Sequence, residues 1–398
     1  MLDIIKLTKK IPEINQHFQE ELNANCERLQ KAQKILPRIY DLEVELIKKY
    51  EKWHNYLTFS PAIPIEPLNT RINLISPPHK HSVFATDGSQ IAPSHHEIAY
   101  CYLINVGRVM LHYGQNLYPL LDSLPEVYYR PEDLYISKQW GIRTEEWIGY
   151  RRSVLEIETL SDMACSWVNP PGAHYEANLA MVDGSLIYWF LDGLPKEVRK
   201  NILPPILTAW AKLQKSQIPI MGYLSASRSV ESITFLRLYS CPFSTPNCLA
   251  NCGGSEEKNL PCKIIEPLRD ITLWGQFLEP GQRGPLWRSS QRILKLYEKA
   301  QQIYFCYINF GSEIARVEIP AWVVEDKPLL EQALGILLGQ VSKGYGYPIA
   351  LSESHNQAVI RGGDRVRFFA LLEQQMIRTG LQNVGTSYKE TRKRNGIA

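Results

Sequence analysis

The chain has 398 residues, 44% of them apolar, with 44 Lys and Arg against 41 Asp and Glu for a formal charge of +3. That length and apolar share exclude a disordered chain and leave room for one large domain or two ordinary ones. The near-even charge excludes a polybasic binder, so a nucleic-acid enzyme of this balance would need its cations gathered on one face.

No stretch approaches the ~18 consecutive apolar residues of a membrane span. The amino terminus, MLDIIKLTKKIPEINQHF, carries charges among its apolar positions and no small-residue cleavage site. A mature, cytoplasmic protein without membrane contact is expected. Eight cysteines in a chain of this length do not make a disulfide scaffold.

In chain order, residues 14–56 show helical spacing: Leu22, Leu29 and Ile35 recur among polar residues, and Leu42, Leu46 and Ile47 resume the stripe after Pro37. Residues 57–80 hold five prolines (Pro61, Pro64, Pro67, Pro77 and Pro78), which predicts a stiff connector and a boundary. The expected division is therefore a helical extension over residues 1–76 and a main domain over 77–398.

Beyond the connector the pattern turns to strands. Ser82 to Thr86 is a short apolar run ending in Asp87-Gly88-Ser89, and Ile98 to Val106 and Arg108 to His112 read as paired strands. Residues 115–145, rich in Pro, Tyr and charge, suggest an irregular insertion. Thr144 to Trp167 has helical spacing with acidic residues near its start. Asn178 to Val182 reads as a strand ending in Asp183-Gly184-Ser185, followed by a helix near 195–215 and a strand from Ile218 to Leu224. Three strands, a helix, a strand, a helix and a strand is the order of an RNase H-like α/β layer. The fold class expected is thus α/β, an RNase H-like mixed sheet flanked by helices, with an N-terminal helical extension. Further on, Ile303 to Phe310 and Ala315 to Ile319 read as an antiparallel pair, and Pro328 to Val341 and Asp364 to Met376 as helices.

The strongest local signal is the pair FATDGSQI (84–91) and AMVDGSLI (180–187). Each sets an Asp at the carboxyl end of an apolar strand, the edge where open α/β sheets bind ligands. Asp-Gly is also common turn chemistry, with the Asp capping its own turn. Two near-copies, however, point to a pair of carboxylates on neighbouring strands, which would repel unless a cation such as Mg²⁺ or Mn²⁺ lay between them. A third carboxylate would come from the intervening helix. Glu156, four residues from both Arg152 and Leu160, is preferred over Glu158, while Glu145 and Glu146 fit the helix dipole.

These residues resemble the NurA family, nucleases of DNA end processing. The matching features are the ATDGS turn, the Arg152-x-x-x-Glu156 helix, the VDGSL turn, the strand ARVEIP (315–320), and GYPIALSESH with Tyr347 and His355. The resemblance implies an RNase H-like fold and Mn²⁺-dependent degradation of DNA from ends, in repair and end resection. It implies metal ligands at Asp87, Glu156 and Asp183, and a further ligand or proton-transfer group at His355. Tyr347 would position substrate. Implied partners are DNA and a HerA-type hexameric translocase, and a homodimer is expected. In such a site two cations ~3.5–4 Å apart would clamp the scissile phosphate, Asp87 bridging them. Arg228 and the basic tail 389–394 are candidates for phosphate contacts.

Cys241, Cys248, Cys252 and Cys262 fall in one Pro- and Gly-rich loop, expected as an insertion around 241–262. Four thiols there suggest Zn²⁺ or an iron–sulfur cluster, against separate reduced cysteines or a redox-sensitive pair. Two other function classes compete with the nuclease. An actin-like or sugar-kinase-type ATP-binding protein also uses paired Asp-Gly turns, but would show a duplicated domain and a glycine-rich adenosine site; Gly362-Gly363 is a poor candidate. An inactive scaffold that binds a partner through the helical arm is the other.

Overall fold

A computed structural model describes residues 3–380 apart from 9, 96 and 253–259. The chain divides into two compact units, one of residues 1–74 with Tyr223–Ala321 and one of Ile75–Gly222 with Trp322–Ala398.

The first unit is built on an antiparallel pair, Ile303–Asn309 against Ile314–Pro320, with Ile303 opposite Pro320 and Asn309 opposite Ile314. Two-residue strands extend it: Trp287–Arg288 and Gln282–Arg283 pair with Ile303–Asn309, and Ile63–Pro64 and Ile72–Asn73 pair with those in turn. The N-terminal helices Ile11–Tyr40 and Glu43–Trp53 do not stand apart as an arm. Their apolar stripe, Ala32, Leu36, Ile39 and Leu46, closes over Ile233, Phe235, Trp274, Trp287 and Phe305 in one buried cluster. A helix with a single apolar face must bury it somewhere. Here the covering surface comes from residues some 200 positions later, so the division expected at residue 76 leaves out most of this cluster.

The second unit holds a mixed sheet. His81–Ile91 is its central strand, antiparallel to Tyr102–Tyr113 and parallel to Ala177–Asp183; Tyr102–Tyr113 pairs in turn with Leu120–Tyr128. Strand Ile220–Leu224, which begins in this unit, follows Ala177–Asp183 in the order. Helix Thr144–Val168 connects Leu120–Tyr128 to Ala177–Asp183, and helix Lys196–Lys215 connects that strand to Ile220–Leu224. This is the RNase H-like order expected from the sequence, in a mixed sheet flanked by helices.

Two local expectations are corrected. Ile98–Val106 and Arg108–His112 are not a hairpin: Gly107 continues the chain in extended form, giving one strand, Tyr102–Tyr113. The presumed irregular insertion contains the edge strand Leu120–Tyr128, whose mostly exposed side chains give it no apolar signature. The helix expected over Asp364 to Met376 is present as Gly362–Arg378, and a further helix, Ile349–Ala358, carries His355.

Candidate functional site

Asp183 sits where the sequence placed it, at the end of strand Ala177–Asp183. Gly184 follows with φ +118°, a conformation that L side chains rarely adopt. Asp87 does not sit in a turn. His81–Ile91 runs unbroken through Asp87-Gly88-Ser89, and Asp87 lies opposite Gly107 on the antiparallel neighbour. The turn propensity of Asp-Gly is overridden because antiparallel pairing with Tyr102–Tyr113 continues through these residues to Ile91. The parallel register pairs Thr86 with Val182. Asp87 and Asp183 are therefore the next residue on each of two adjacent strands, side by side on one face of the sheet.

His355 reaches the same face from helix Ile349–Ala358. Its Nδ1 lies 2.8 Å from Asp87 Oδ2. The helix can come this close because Gly107 has no side chain: a Cβ there would stand 2.5 Å from the Ser354 carbonyl and the Ala358 nitrogen. The end of the helix is fastened to the sheet by hydrogen bonds onto the Ala358 carbonyl, from Asn105 Nδ2 at 2.8 Å and from Ser89 Oγ. Asn105 and Ser89 are themselves register partners. Tyr347, just ahead of this helix, hydrogen-bonds Asp183.

Glu156 comes from the other side. Helix Thr144–Val168 packs on the Thr86 and Gly88 face of the strand, held by a 2.9 Å hydrogen bond from Thr86 Oγ1 to the Glu156 carbonyl. A Cβ at Gly88 would collide with Glu156 Oε1 and stand 2.6 Å from Arg152 Cγ. The glycine thus opens the space through which this carboxylate approaches the Asp87 strand. Glu156 Oε1 is buried with no hydrogen-bond partner, and Arg152 Nε is 3.1 Å away.

Electrostatics tie the three carboxylates together. Burial pushes the Glu156 carboxyl up to about 8; Arg152 opposes the rise, and the charges of Asp87 and Asp183 add to it. Burial also raises Asp183, against the hydrogen bond from Tyr347, while Asp87 pushes it up and His355 pulls it down. Acids that raise one another in this way form a region of concentrated negative potential.

The chemistry of this donor set, three carboxylates and an imidazole, suits a divalent cation with oxygen and nitrogen ligands. Among the described residues, though, no group of three or more His, Cys, Asp or Glu is already arranged to hold a metal ion. The carboxylates would have to close in to coordinate one.

The other sequence candidates lie elsewhere. Glu158 faces a separate cavity with Asp162 and Lys212. Glu145 and Glu146 stand in the first turn of their helix, where Glu146 pairs with Arg143. Arg228 is exposed in the first unit, and the basic tail 389–394 lies outside the described residues. Cys248 and Cys252 are one turn apart on the short helix Cys248–Cys252, and Arg237 Nη2 is 3.5 Å from the buried Cys262 thiol. Burial raises the Cys252 thiol, and the charges of Cys248, Cys262 and Cys241 add to the rise. They too fail to form a group arranged for a metal, and neither Zn²⁺ nor an iron–sulfur cluster gains support. No helix among the described residues is long and apolar enough to cross a membrane.

Sequence reasoning did not single out Gly107, Asn105 or Ser89. A glycine inside an apolar strand is a known sign of close backbone approach, and that was the available signal for Gly107.

No curated protein matches the chain in sequence. Among solved structures, the crystal structure of the NurA nuclease from Sulfolobus solfataricus has the same fold, with a TM-score of 0.53 at 15% identity over 95% of this chain and 98% of that one. The NurA domain family matches residues 81–360, a span that contains Asp87, Glu156, Asp183, Tyr347 and His355, and the chain belongs to that family.

Proposed function

We propose that the chain is a metal-dependent nuclease that hydrolyses phosphodiester bonds of DNA, an exonuclease of end processing and repair. The observation that carries this reading is the placement of Asp87 and Asp183 at equivalent positions of adjacent parallel strands, with His355 on Asp87. Membership of the NurA family supports it, as does the structural likeness to a protein described as a nuclease.

Asp87, Asp183 and Glu156 would hold Mn²⁺ or Mg²⁺ between them. Two such ions supply Lewis acidity at the scissile phosphate and a water acidic enough to attack near neutral pH. The protein's own residues orient and move protons. If His355 donates its Nδ1 proton to Asp87, its Nε2 carries a lone pair aimed away from the carboxylate. That nitrogen can take a proton from the attacking water or return one to the leaving oxygen. Tyr347 fixes the Asp183 rotamer through its hydroxyl, and Arg152 keeps one Glu156 oxygen in place until metal competes for it. A HerA-type translocase partner and a homodimer complete the proposal for the family's mode of action.

The test is incubation of end-labelled linear DNA with Mn²⁺ or Mg²⁺, comparing wild type with Asp87→Asn. Wild-type shortening of the label that vanishes in the variant, at unchanged melting temperature, is the expected result. Cleavage retained by Asp87→Asn, or none by wild type under either ion, overturns the assignment.

A further inference from the structure

The turn that follows Asp183 holds an aromatic side chain that the site described so far does not use. Residues Trp189–Leu191 form a single 3₁₀ turn. Of the four aromatic or apolar side chains from Tyr188 to Leu191, three are anchored: Tyr188 and Leu191 are buried, and Phe190 lies parallel to Tyr150 on helix Thr144–Val168, with ring centroids 4.7 Å apart and planes within 4°. Trp189 is left 41% exposed.

An indole facing water loses the burial that makes tryptophan stabilising, so a flexible one would turn inward wherever it could. Trp189 is instead held in place. Its Nε1 donates to Ser185 Oγ at 3.2 Å, and the same oxygen accepts from the Ile187 amide at 3.0 Å. Ser185 is two residues beyond Asp183, within about 7 Å of it along the chain. An exposed ring, oriented by a hydrogen bond at its edge to Ser185, thus stands in the segment that follows Asp183.

We propose that Trp189 is a stacking platform for an unpaired nucleobase of the substrate strand, next to the phosphate to be cut. The proposal rests on the nuclease reading and deepens it by naming the substrate class: a single-stranded or frayed end. Every base offers a π-face, so stacking of this kind tolerates any sequence, as degradation from an end requires. Holding the indole by its N–H orients the ring through its edge. Trp189 is a positioning residue in this scheme and takes no part in proton transfer.

The test uses the full chain in EDTA, titrated into fluorescein-labelled oligothymidylate and, separately, into a blunt duplex of the same length. Trp189→Ala is expected to weaken oligothymidylate binding about 5- to 150-fold, the range for loss of one base stack. Trp189→Phe, which keeps a ring, is expected to recover most of it, and blunt-duplex affinity is expected to move less than twofold. With Mn²⁺ present, KM for the single strand rises in Trp189→Ala by a similar factor while kcat stays within twofold. Equal single-strand affinity in wild type and Trp189→Ala overturns the platform, as does failure of Trp189→Phe to rescue or an equal loss on blunt duplex. A shift in oligomeric size with unchanged DNA affinity also overturns it, since the ring would then serve contact between copies. Absence of any cleavage by wild type would sink the nuclease reading instead, and the EDTA titration still scores the platform.

Discussion

Asp87 and Gly107 face each other across an antiparallel strand pair, and the space the glycine leaves empty is filled by the backbone of the helix that carries His355. The contact between Asp87 and His355 therefore depends on a residue that bears no functional group. In Gly107→Ala the added methyl would meet the Ser354 carbonyl and the Ala358 nitrogen at 2.5 Å, and both belong to a helix end that cannot swing aside like a flexible side chain. Overpacking of this kind costs about 1–3 kcal/mol. The helix is expected to lift and carry the imidazole away from Asp87, with nuclease activity falling more than tenfold while the fold survives. A melting curve together with an activity assay checks this; full activity at reduced stability would show that the 2.8 Å contact is dispensable.

Glu156 gives the metal-free protein a definite dependence on pH. Its carboxyl rises from an ordinary value of 4.5 to about 8, chiefly through burial. A group that holds its proton more tightly folded than unfolded contributes stability that is complete below its unfolded pKa and is lost as pH climbs through the folded one. Asp183 is raised as well and acts with the same sign. In EDTA the protein is expected to melt at a lower temperature at pH 8.5 than at pH 6, and Glu156→Gln is expected to flatten the difference. Mn²⁺ competes with that proton, so it should raise the melting temperature more at pH 8.5 than at pH 6. A metal-free melting temperature that rises from pH 6 to 8.5 would contradict the burial of this carboxyl.

Much of this site was legible in the sequence, and the reasons differ by residue. Asp183 closes a short apolar run before a glycine that the fold needs at positive φ, so local pattern and tertiary structure agree. The Asp87 segment has almost the same local sequence and a different local structure, because antiparallel pairing with Tyr102–Tyr113 runs on through it to Ile91 and keeps it extended. His355 and Tyr347 were found only through family resemblance: nothing in SESH shows that a helix delivers the histidine to a strand 268 positions earlier. The first unit was not legible as a unit. Its two segments are separated in the chain by the other unit, and an apolar stripe such as Ala32, Leu36 and Ile39 declares that it will be covered without declaring by what. Edge strand Leu120–Tyr128 escaped notice since strands that are mostly exposed lack the alternation that marks half-buried ones.

His112 points to acid sensitivity at the opposite end of the central strand. Its ring stacks on Trp167, which stacks on His174, with centroid separations of 4.2 and 3.7 Å, and its Nδ1 is 2.8 Å from Ser82 Oγ. Burial, with a smaller contribution from the nearby His174, lowers its pKa to about 4. The unfolded chain then takes up a proton that the folded one refuses, so the stability at stake is complete above about 6.5 and is lost as pH falls toward 4. His112→Gln keeps a partner for Ser82 and does not titrate. Between pH 7 and 4.5 its melting temperature is expected to fall less steeply than that of wild type, and parallel curves would rule out His112 as the source.

In the first unit, Arg316 is almost wholly buried, yet every side of its guanidinium is engaged. Nη2 pairs with Glu231 and Nε with Glu318, each at 2.8 Å, and Nη1 donates to Ser229 Oγ at 2.8 Å. The plane also lies over Phe305, its central carbon 3.7 Å from the ring centroid. Its two carboxylate partners are buried too, so the three side chains form one ion-paired set removed from water. Removing one member of such a set strands the others in a low dielectric, a cost of about 3–5 kcal/mol, whereas replacing the whole set by apolar groups of similar size is often neutral. Arg316→Met is expected to destabilise the protein by that amount in urea unfolding. Arg316→Met combined with Glu231→Gln and Glu318→Gln is expected to regain part of the loss, because no uncompensated charge is left behind. If the triple variant proved less stable than Arg316→Met by the sum of its separate losses, the damage would lie in packing against Phe305 and the hydrogen bonds of Ser229, with charge burial playing no part.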